Sequence, residues 1–141
     1  MSARLGNPQL ITAPAAALGS AAGRSIALNT AGWSMLISAV LTYVATATVG
    51  GRSPAIRIVD AAGNIVWQDG NSGATLTAGL TFRLTLGTAL GSRSTGAPVF
   101  LQTYLIPDGL SIPPGSSLVV LDGVNVDVND TVQLNSLIIS L

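Results

Sequence analysis

Hydrophobic and polar residues alternate along residues 75–86 of the chain, with threonine dominating the polar positions. The apolar positions are Leu76, Ala78, Leu80, Phe82, Leu84 and Leu86. Because successive side chains of a β-strand point to opposite faces, this alternation predicts a half-buried strand. The whole apolar and threonine-rich segment, 74–87, is longer than a typical strand, and Gly79 in its middle predicts a bend or bulge there.

Further strand-like segments follow one another between glycine, proline and asparagine residues. The predicted strands are 33–49, 54–60, 64–68, 74–87, 97–106, 116–121, 124–128 and 130–140. About eight short strands with turn residues at this spacing are typical of a sandwich or barrel. We therefore predict an all-β protein, an antiparallel β-sandwich of the jelly-roll type.

One hairpin is predicted in residue detail, between strands 54–60 and 64–68. Asp60 opens a type I turn, and Gly63 takes the left-handed position that completes a bulged loop. Ile56 and Ile58 are then expected to share a sheet face with members of the pair Ile65 and Trp67.

Residues 1–25 are rich in alanine, glycine, serine and proline, and they show no sustained periodicity. They fit a flexible terminus, an extended arm that becomes ordered on a neighbouring subunit, or a short alanine-rich helix. We predict an N-terminal arm over 1–25 and a β-sandwich domain over 26–141. The apolar residues that would anchor the arm on a neighbour are Leu5, Leu10, Ile11 and Leu18.

Charged residues make up 9% of the chain, against roughly 25% in an average soluble domain. Lysine and glutamate are absent, which agrees with a fold that has hardly any helix. A free monomer with so few charges would be poorly protected against association. We therefore expect neighbouring chains to cover much of the surface, in a homo-oligomer that is a trimer or a dimer.

The residue inventory restricts the chemistry that this chain can perform. Histidine, cysteine, lysine and glutamate are all missing, which excludes a catalytic triad, a zinc site and a Schiff base. Catalysis by a pair of aspartates is formally open. Asp60 and Asp69 flank one hairpin, but turn-forming aspartate is common at both positions. The six arginines are scattered without a basic patch, so nucleic acid is not an expected partner. We expect a protein that is not an enzyme and has no cofactor.

Oxygen-bearing side chains recur between residues 122 and 130, at every second position from Asn125 to Asn129. They are Asp122, Asn125, Asp127, Asn129 and Asp130. Calcium loops use similar spacing, but this segment has neither the central glycine nor the terminal glutamate of such a loop. Because valines alternate with these residues, we interpret 124–128 as a strand with an exposed polar face and predict no bound metal.

Two further hypotheses concern a membrane and a sugar. Residues 25–51 carry no charge, but serine and threonine interrupt the apolar run, so a long strand is favoured over a transmembrane helix and no membrane is expected. Trp33, Tyr43, Trp67 and Tyr104 could form a sugar-binding platform, although aromatic residues in alternating strands usually lie in a core or an interface.

Two segments together resemble a known family. They are ATVGGRSPAIRIVDAAGNIVWQ, from Ala47 to Gln68, and IPPGSSLVVLDGVNVDVNDTV, from Ile112 to Val132. Their order of turns and strands is similar to that of the small jelly-roll structural proteins of tailed bacteriophages. The similarity extends from about Gly32 to Leu141 and leaves the first 25 residues outside.

The resemblance implies a cement or decoration protein on the head surface of a phage particle, with the major capsid protein as its partner. It carries over no catalytic residues. The alternative is a host-recognition module at a tail or fibre tip, in which the loop 87–98, containing Arg93, binds a glycan or receptor. Arg93 is also a candidate assembly residue. Copy number distinguishes the two, because a cement protein is present in hundreds of copies per particle and a tail-tip protein in a few.

Overall fold

The structure is a computed structural model that describes residues 6–20, 23–28, 31–48, 50–69, 77–87, 99–122 and 127–141. These residues form ten β-strands and no helix. The strands are β1 (Pro8–Ala17), β2 (Arg24–Ala27), β3 (Ser34–Val44), β4 (Pro54–Val59), β5 (Ile65–Gln68), β6 (Thr81–Gly87), β7 (Val99–Leu105), β8 (Ser111–Ile112), β9 (Ser117–Asp122) and β10 (Thr131–Ser140). Within this part of the chain no helix could cross a membrane. The predicted all-β class is confirmed.

The strands are arranged in two sheets. Sheet 1 has the order β1-β10-β3-β6-β7, with the short β8 paired to β3, and sheet 2 has the order β2-β9-β4-β5. Neighbouring strands run antiparallel, apart from the parallel pair β6 and β7. Parallel neighbours require a crossover connection, and the link from β6 to β7 spans 88–98.

The core lies between the inner faces of the two sheets. Sheet 1 contributes fully buried side chains such as Leu41 and Phe82, and sheet 2 contributes Ile56, Ile58 and Leu118. Along β4 and β10, buried residues alternate with more exposed ones, as a strand with one core-facing side requires. Burying one such aliphatic side chain stabilises the fold by about 1.5–3 kcal/mol.

Most of the described part of the predicted N-terminal arm forms strand β1 of sheet 1, and Arg24 and Ser25 begin β2 of sheet 2. β1 pairs antiparallel with β10, from Pro8 opposite Ile139 to Ala17 opposite Thr131. The Arg24 guanidinium donates hydrogen bonds to the carbonyls of Pro14 and Val132, next to an irregularity in β1. The structure therefore differs from the predicted separation of 1–25 from the β-domain. Alanine and proline give β1 no clear alternation of apolar and polar residues. Its position in the sheet is determined by pairing with the distant strand β10.

The predicted hairpin is present between β4 and β5. The Asp60 carboxylate accepts hydrogen bonds from the backbone N–H groups of Ala62 and Asn64, and Gly63 has φ +88°. Ile58 lies directly opposite Trp67, as expected for a shared face. Ile65 lies opposite Val59 instead, beyond a register shift, and is exposed.

Several segments differ from the strand prediction, among them 33–49, whose strand ends at Val44. The strand predicted over 74–87 begins only at Thr81, because 77–80 form a turn in which Gly79 has φ +77°; residues 74–76 lie outside the described part. Most of the segment 124–128 also lies outside it, and 127–130 form a turn rather than a strand. The short strands β2 and β8 were not predicted, because segments of two to four residues carry no readable periodicity.

Candidate functional site

The predicted assembly residues do not lie together on one surface. Leu10 is 67% exposed on β1, whereas Ile11 packs against the core and Leu18 is 4% exposed within it. Leu5 and Arg93, with the loop 88–98, lie outside the described residues. Because neighbouring residues of β1 face opposite sides of the sheet, Leu10 and Ile11 cannot serve the same contact. Leu10 is thus the member of the described set that remains available to a partner.

Leu10 belongs to an apolar region on the outer face of sheet 1. It lies opposite Leu137 of β10, and Ile139 lies opposite Met35 of β3. The strand register and partial exposure place the following side chains on this region, which we call the outer apolar patch: Leu10, Met35, Val40, Leu137 and Ile139. Contiguous apolar residues that stay partly exposed are typical of surfaces that bind other molecules.

The rest of the same face is mostly polar and almost uncharged. Thr12 lies opposite Asn135, and Thr42 lies between Gln133 and Arg83. Among the outward side chains described on β1, β3, β6 and β10, Arg83 is the single charged one. A partner that covers this face therefore loses little charge solvation on binding.

Two oppositely charged residues are fully buried at the end of the sandwich where β3 ends and β10 begins. Arg52 and Asp130 are both 0% exposed. The Nε of Arg52 donates to Oδ2 of Asp130 over 2.9 Å, and the Tyr43 hydroxyl donates to the same oxygen over 2.6 Å. The other carboxylate oxygen accepts the backbone N–H of Thr46 over 2.7 Å. Both oxygens of Asp130 are thus paired.

The remaining donors of Arg52 hold the loop that follows β3. Nη1 donates to the carbonyl oxygens of Thr48 and Gly50, and Nη2 donates to the Thr46 hydroxyl over 3.1 Å. Asp127 lies 3.6 Å from Nη2 and accepts a hydrogen bond from the Thr46 hydroxyl. One guanidinium therefore connects residues 46–48 and 50–52 to the turn 127–130. We call these five side chains, Tyr43, Thr46, Arg52, Asp127 and Asp130, the Arg52 network.

Local sequence explains the shape of the 127–130 turn. The Asp127 carboxylate accepts the backbone N–H of Asn129 over 2.9 Å, and its carbonyl accepts the N–H of Asp130 over 3.0 Å. Aspartate favours such turns because its side chain imitates a backbone acceptor. The turn directs both carboxylates toward Arg52, whereas the predicted strand would have exposed Asp127 and Asn129 on one face.

The electrostatics of the Arg52 network favour the charged forms of Arg52, Asp127 and Asp130. The pKa of Asp127 is lowered to about 2, first by the Thr46 hydroxyl and then by the Asn129 backbone N–H. Burial works against ionisation of Asp130, but the hydrogen bonds from Arg52, Thr46 and Tyr43 prevail and keep its pKa below the usual value. The hydrogen bond with Asp130 raises the pKa of Arg52 in turn.

The described residues contain no cluster of three or more acidic side chains suited to a metal ion. Asp127 and Asp130 instead face the Arg52 guanidinium, which supplies the positive charge that a cation would otherwise provide. Asn125 and the Asp122 side chain lie outside the described part, so the predicted absence of a metal stays a prediction.

Sequence reasoning did not identify the Arg52 network. Arg52 stands among small and apolar residues, and both of its acidic partners are more than 70 residues further along the chain. One signal was available: a lone arginine directly before a buried strand has to be paired, because an unpaired buried charge is costly. The identity of the partner required the fold. Comparisons of the chain with protein-family models, curated proteins and solved structures find no match.

Proposed function

We propose that this chain is a non-enzymatic structural protein of a virus particle, a cement or decoration protein that stabilises a phage capsid shell. Its partners are further copies of itself and the major capsid protein, and its location is the head surface. The observation that carries the proposal is the strand order of the sandwich. The outer apolar patch supplies the surface for assembly.

The strand order supports a jelly roll. When β7 and β8 are treated as an insertion, eight strands remain, in the orders β1-β10-β3-β6 and β2-β9-β4-β5. The chain passes from one sheet to the other at each step except the β4–β5 hairpin, and its first and last strands are neighbours. This is the order expected of a jelly roll, an architecture that recurs in viral capsid proteins. The argument from fold to virion is one of analogy.

The outer face of sheet 1 supports assembly as the mode of action. Its apolar patch and its single described charge suit a surface that is covered in the working state. Nothing in this mechanism requires a reaction. Binding several neighbouring shell subunits at once adds their association free energies, and this stabilises the shell.

Copy number in the particle tests the proposal. Phage particles made from a genome that encodes the chain are purified, and the protein is quantified against the major capsid protein on a stained gel. We expect a chain of 14.2 kDa at a stoichiometry comparable to that of the capsid protein. A few copies per particle would indicate the tail-tip alternative, and absence from the particle would refute a virion role.

A pair of matched substitutions tests the proposed surface. Leu10 and Thr12 lie on the same face of β1, two residues apart, and both are exposed. We expect Leu10→Glu to reduce self-association in sedimentation experiments and binding to shells that lack the protein. Thr12→Glu adds the same charge outside the apolar patch and is expected to change both much less. Equal effects would contradict the assignment of the patch.

A further inference from the structure

We propose that a cavity beside Trp33 is a binding site for an uncharged saccharide ring. The cavity has a volume of about 330 Å³, within the range of about 300–1,000 Å³ that is typical of small-molecule sites. It lies apart from the outer apolar patch and from the Arg52 network. The proposal is therefore independent of the structural role proposed above.

The cavity opens between the two sheets at one edge of the sandwich. Ile11 of β1 and Ile138 of β10 line it from the inner side of sheet 1, and Ala27 and Leu28 line it from the end of β2. Each of these strands is paired to a neighbour in its own sheet. The walls are thus held by the sandwich itself, so that a ligand would meet a preformed site.

Trp33 provides the flat surface that a sugar ring needs. It lines the cavity, and 55% of the residue is exposed. Its carbonyl accepts the backbone N–H of Leu141 over 2.9 Å, and β3 begins at the next residue. The indole is therefore carried on a fixed backbone while much of its surface remains open to solvent. One face of a pyranose ring presents C–H groups that pack on such an aromatic surface, as apolar groups do generally.

The polar side chains that line the cavity are neutral. Gln9 and Ser140 line it, and an amide and a hydroxyl together both donate and accept hydrogen bonds. None of the described lining residues has an ionisable side chain. A phosphate or carboxylate would lose solvation here without gaining an opposite charge. A purely apolar ligand would make no hydrogen bond to the amide or the hydroxyl. A ring with an apolar face and hydroxyl edges can use both the indole surface and these polar groups.

Saccharide titrations followed by NMR test the site. The probes are glucose, galactose, mannose and N-acetylglucosamine with their common disaccharides, and glucuronic acid serves as an anionic comparison. We expect at least one neutral probe to show saturation transfer from the protein with a dissociation constant of about 1 mM. Glucuronic acid is expected to bind about tenfold more weakly or not at all.

Substitutions locate the binding. Trp33→Ala and Gln9→Ala are each expected to weaken it about tenfold, and Trp33→Tyr to restore part of it because an aromatic face returns. Thr12→Ala is the control, since Thr12 lies on the same strand as Gln9 but faces the other side of sheet 1 and lies outside the outer apolar patch. Thermal melts establish that each variant is folded.

Three outcomes would overturn the proposal. The first is that no neutral probe binds at tens of millimolar, and the second is that binding is the same in Trp33→Ala as in the unaltered protein. The third is that Trp33→Ala changes the sedimentation coefficient but leaves saccharide binding in the NMR titration unchanged. That result would assign the cavity to contact with a second copy of this chain. A negative result leaves particle copy number unaffected, so failure here is distinguishable from failure of the structural role.

Discussion

The Arg52 network predicts that replacing one carboxylate by an amide lowers the free energy of unfolding by several kcal/mol. Asp130→Asn keeps the size and shape of the side chain but removes its negative charge. Both Asp130 and Arg52 are fully buried, and their closest atoms are 2.9 Å apart. The substitution leaves the guanidinium charge in the interior without its main counterion.

The expected magnitude follows from the contacts. Removing one partner of a buried ion pair costs about 3–5 kcal/mol. The asparagine oxygen can still accept the Thr46 N–H, but its amide NH₂ group then faces the Nε–H of Arg52, a donor opposite a donor. Asp127, 3.6 Å from Nη2, compensates part of the charge. We therefore expect a loss of about 3 kcal/mol, near the lower end of that range.

Urea unfolding followed by tryptophan fluorescence measures this loss. For a chain of this size, about 3 kcal/mol corresponds to a decrease of roughly 10 °C in Tm. With a slope of about 2 kcal/mol per molar urea, the midpoint falls by about 1.5 M. Asp108→Asn is the matched control, because Asp108 lies exposed in a turn, and such a change is expected to stay within about 0.5 kcal/mol.

A double-mutant cycle with Arg52→Met separates the ion pair from other effects. When both charges are removed, neither remains buried without a partner, so the double variant is expected to be more stable than the sum of the single effects predicts. The reasoning is refuted if Asp130→Asn and Asp108→Asn have equal effects on the free energy of unfolding. It is also refuted if the two single effects in the cycle simply add.

Three other features give predictions that unfolding measurements check. Gly23→Ala should lower the free energy of unfolding by well over the roughly 1 kcal/mol expected for Gly63→Ala. Both glycines have positive φ, but a Cβ at Gly23 would also collide with the Val120 carbonyl. Similar losses in the two variants would contradict this. Ser34→Ala should be neutral or stabilising, because the buried Ser34 hydroxyl has no hydrogen-bond partner within the described residues. Ser116→Ala should cost about 1 kcal/mol, because it removes a 2.7 Å hydrogen bond to the Pro113 carbonyl. A larger loss for Ser34→Ala than for Ser116→Ala would contradict this prediction. The fold lowers the pKa of Asp127 from the ordinary 3.8 to about 2. The stabilisation from its carboxylate is therefore present above about pH 4 and is lost as the pH falls toward 2. Asp127→Asn should flatten this acid-dependent part of a plot of stability against pH, and an unchanged plot would contradict the role given to the Asp127 carboxylate.

The structural features that were predictable from sequence are those encoded by neighbouring residues. Alternation identified the central strands, and Asp60 with Gly63 identified the hairpin, because a turn satisfies its own backbone groups within four residues. Strand β1 was missed as part of the sheet. Its alanines and prolines carry no hydrophobic period, and its place is determined by hydrogen bonds to β10, more than a hundred residues away.

The candidate sites likewise divide into properties that local sequence or composition shows and properties that depend on the fold. Low charge and the absence of histidine, cysteine, lysine and glutamate are properties of the composition, so the sequence alone excluded several kinds of chemistry. Which face of β1 presents Leu10, which carboxylates meet Arg52, and what surrounds Trp33 depend on segments far apart in the chain. Only the tertiary structure decides these, because strand register and sheet order arise from long-range pairing that no local pattern of residues specifies.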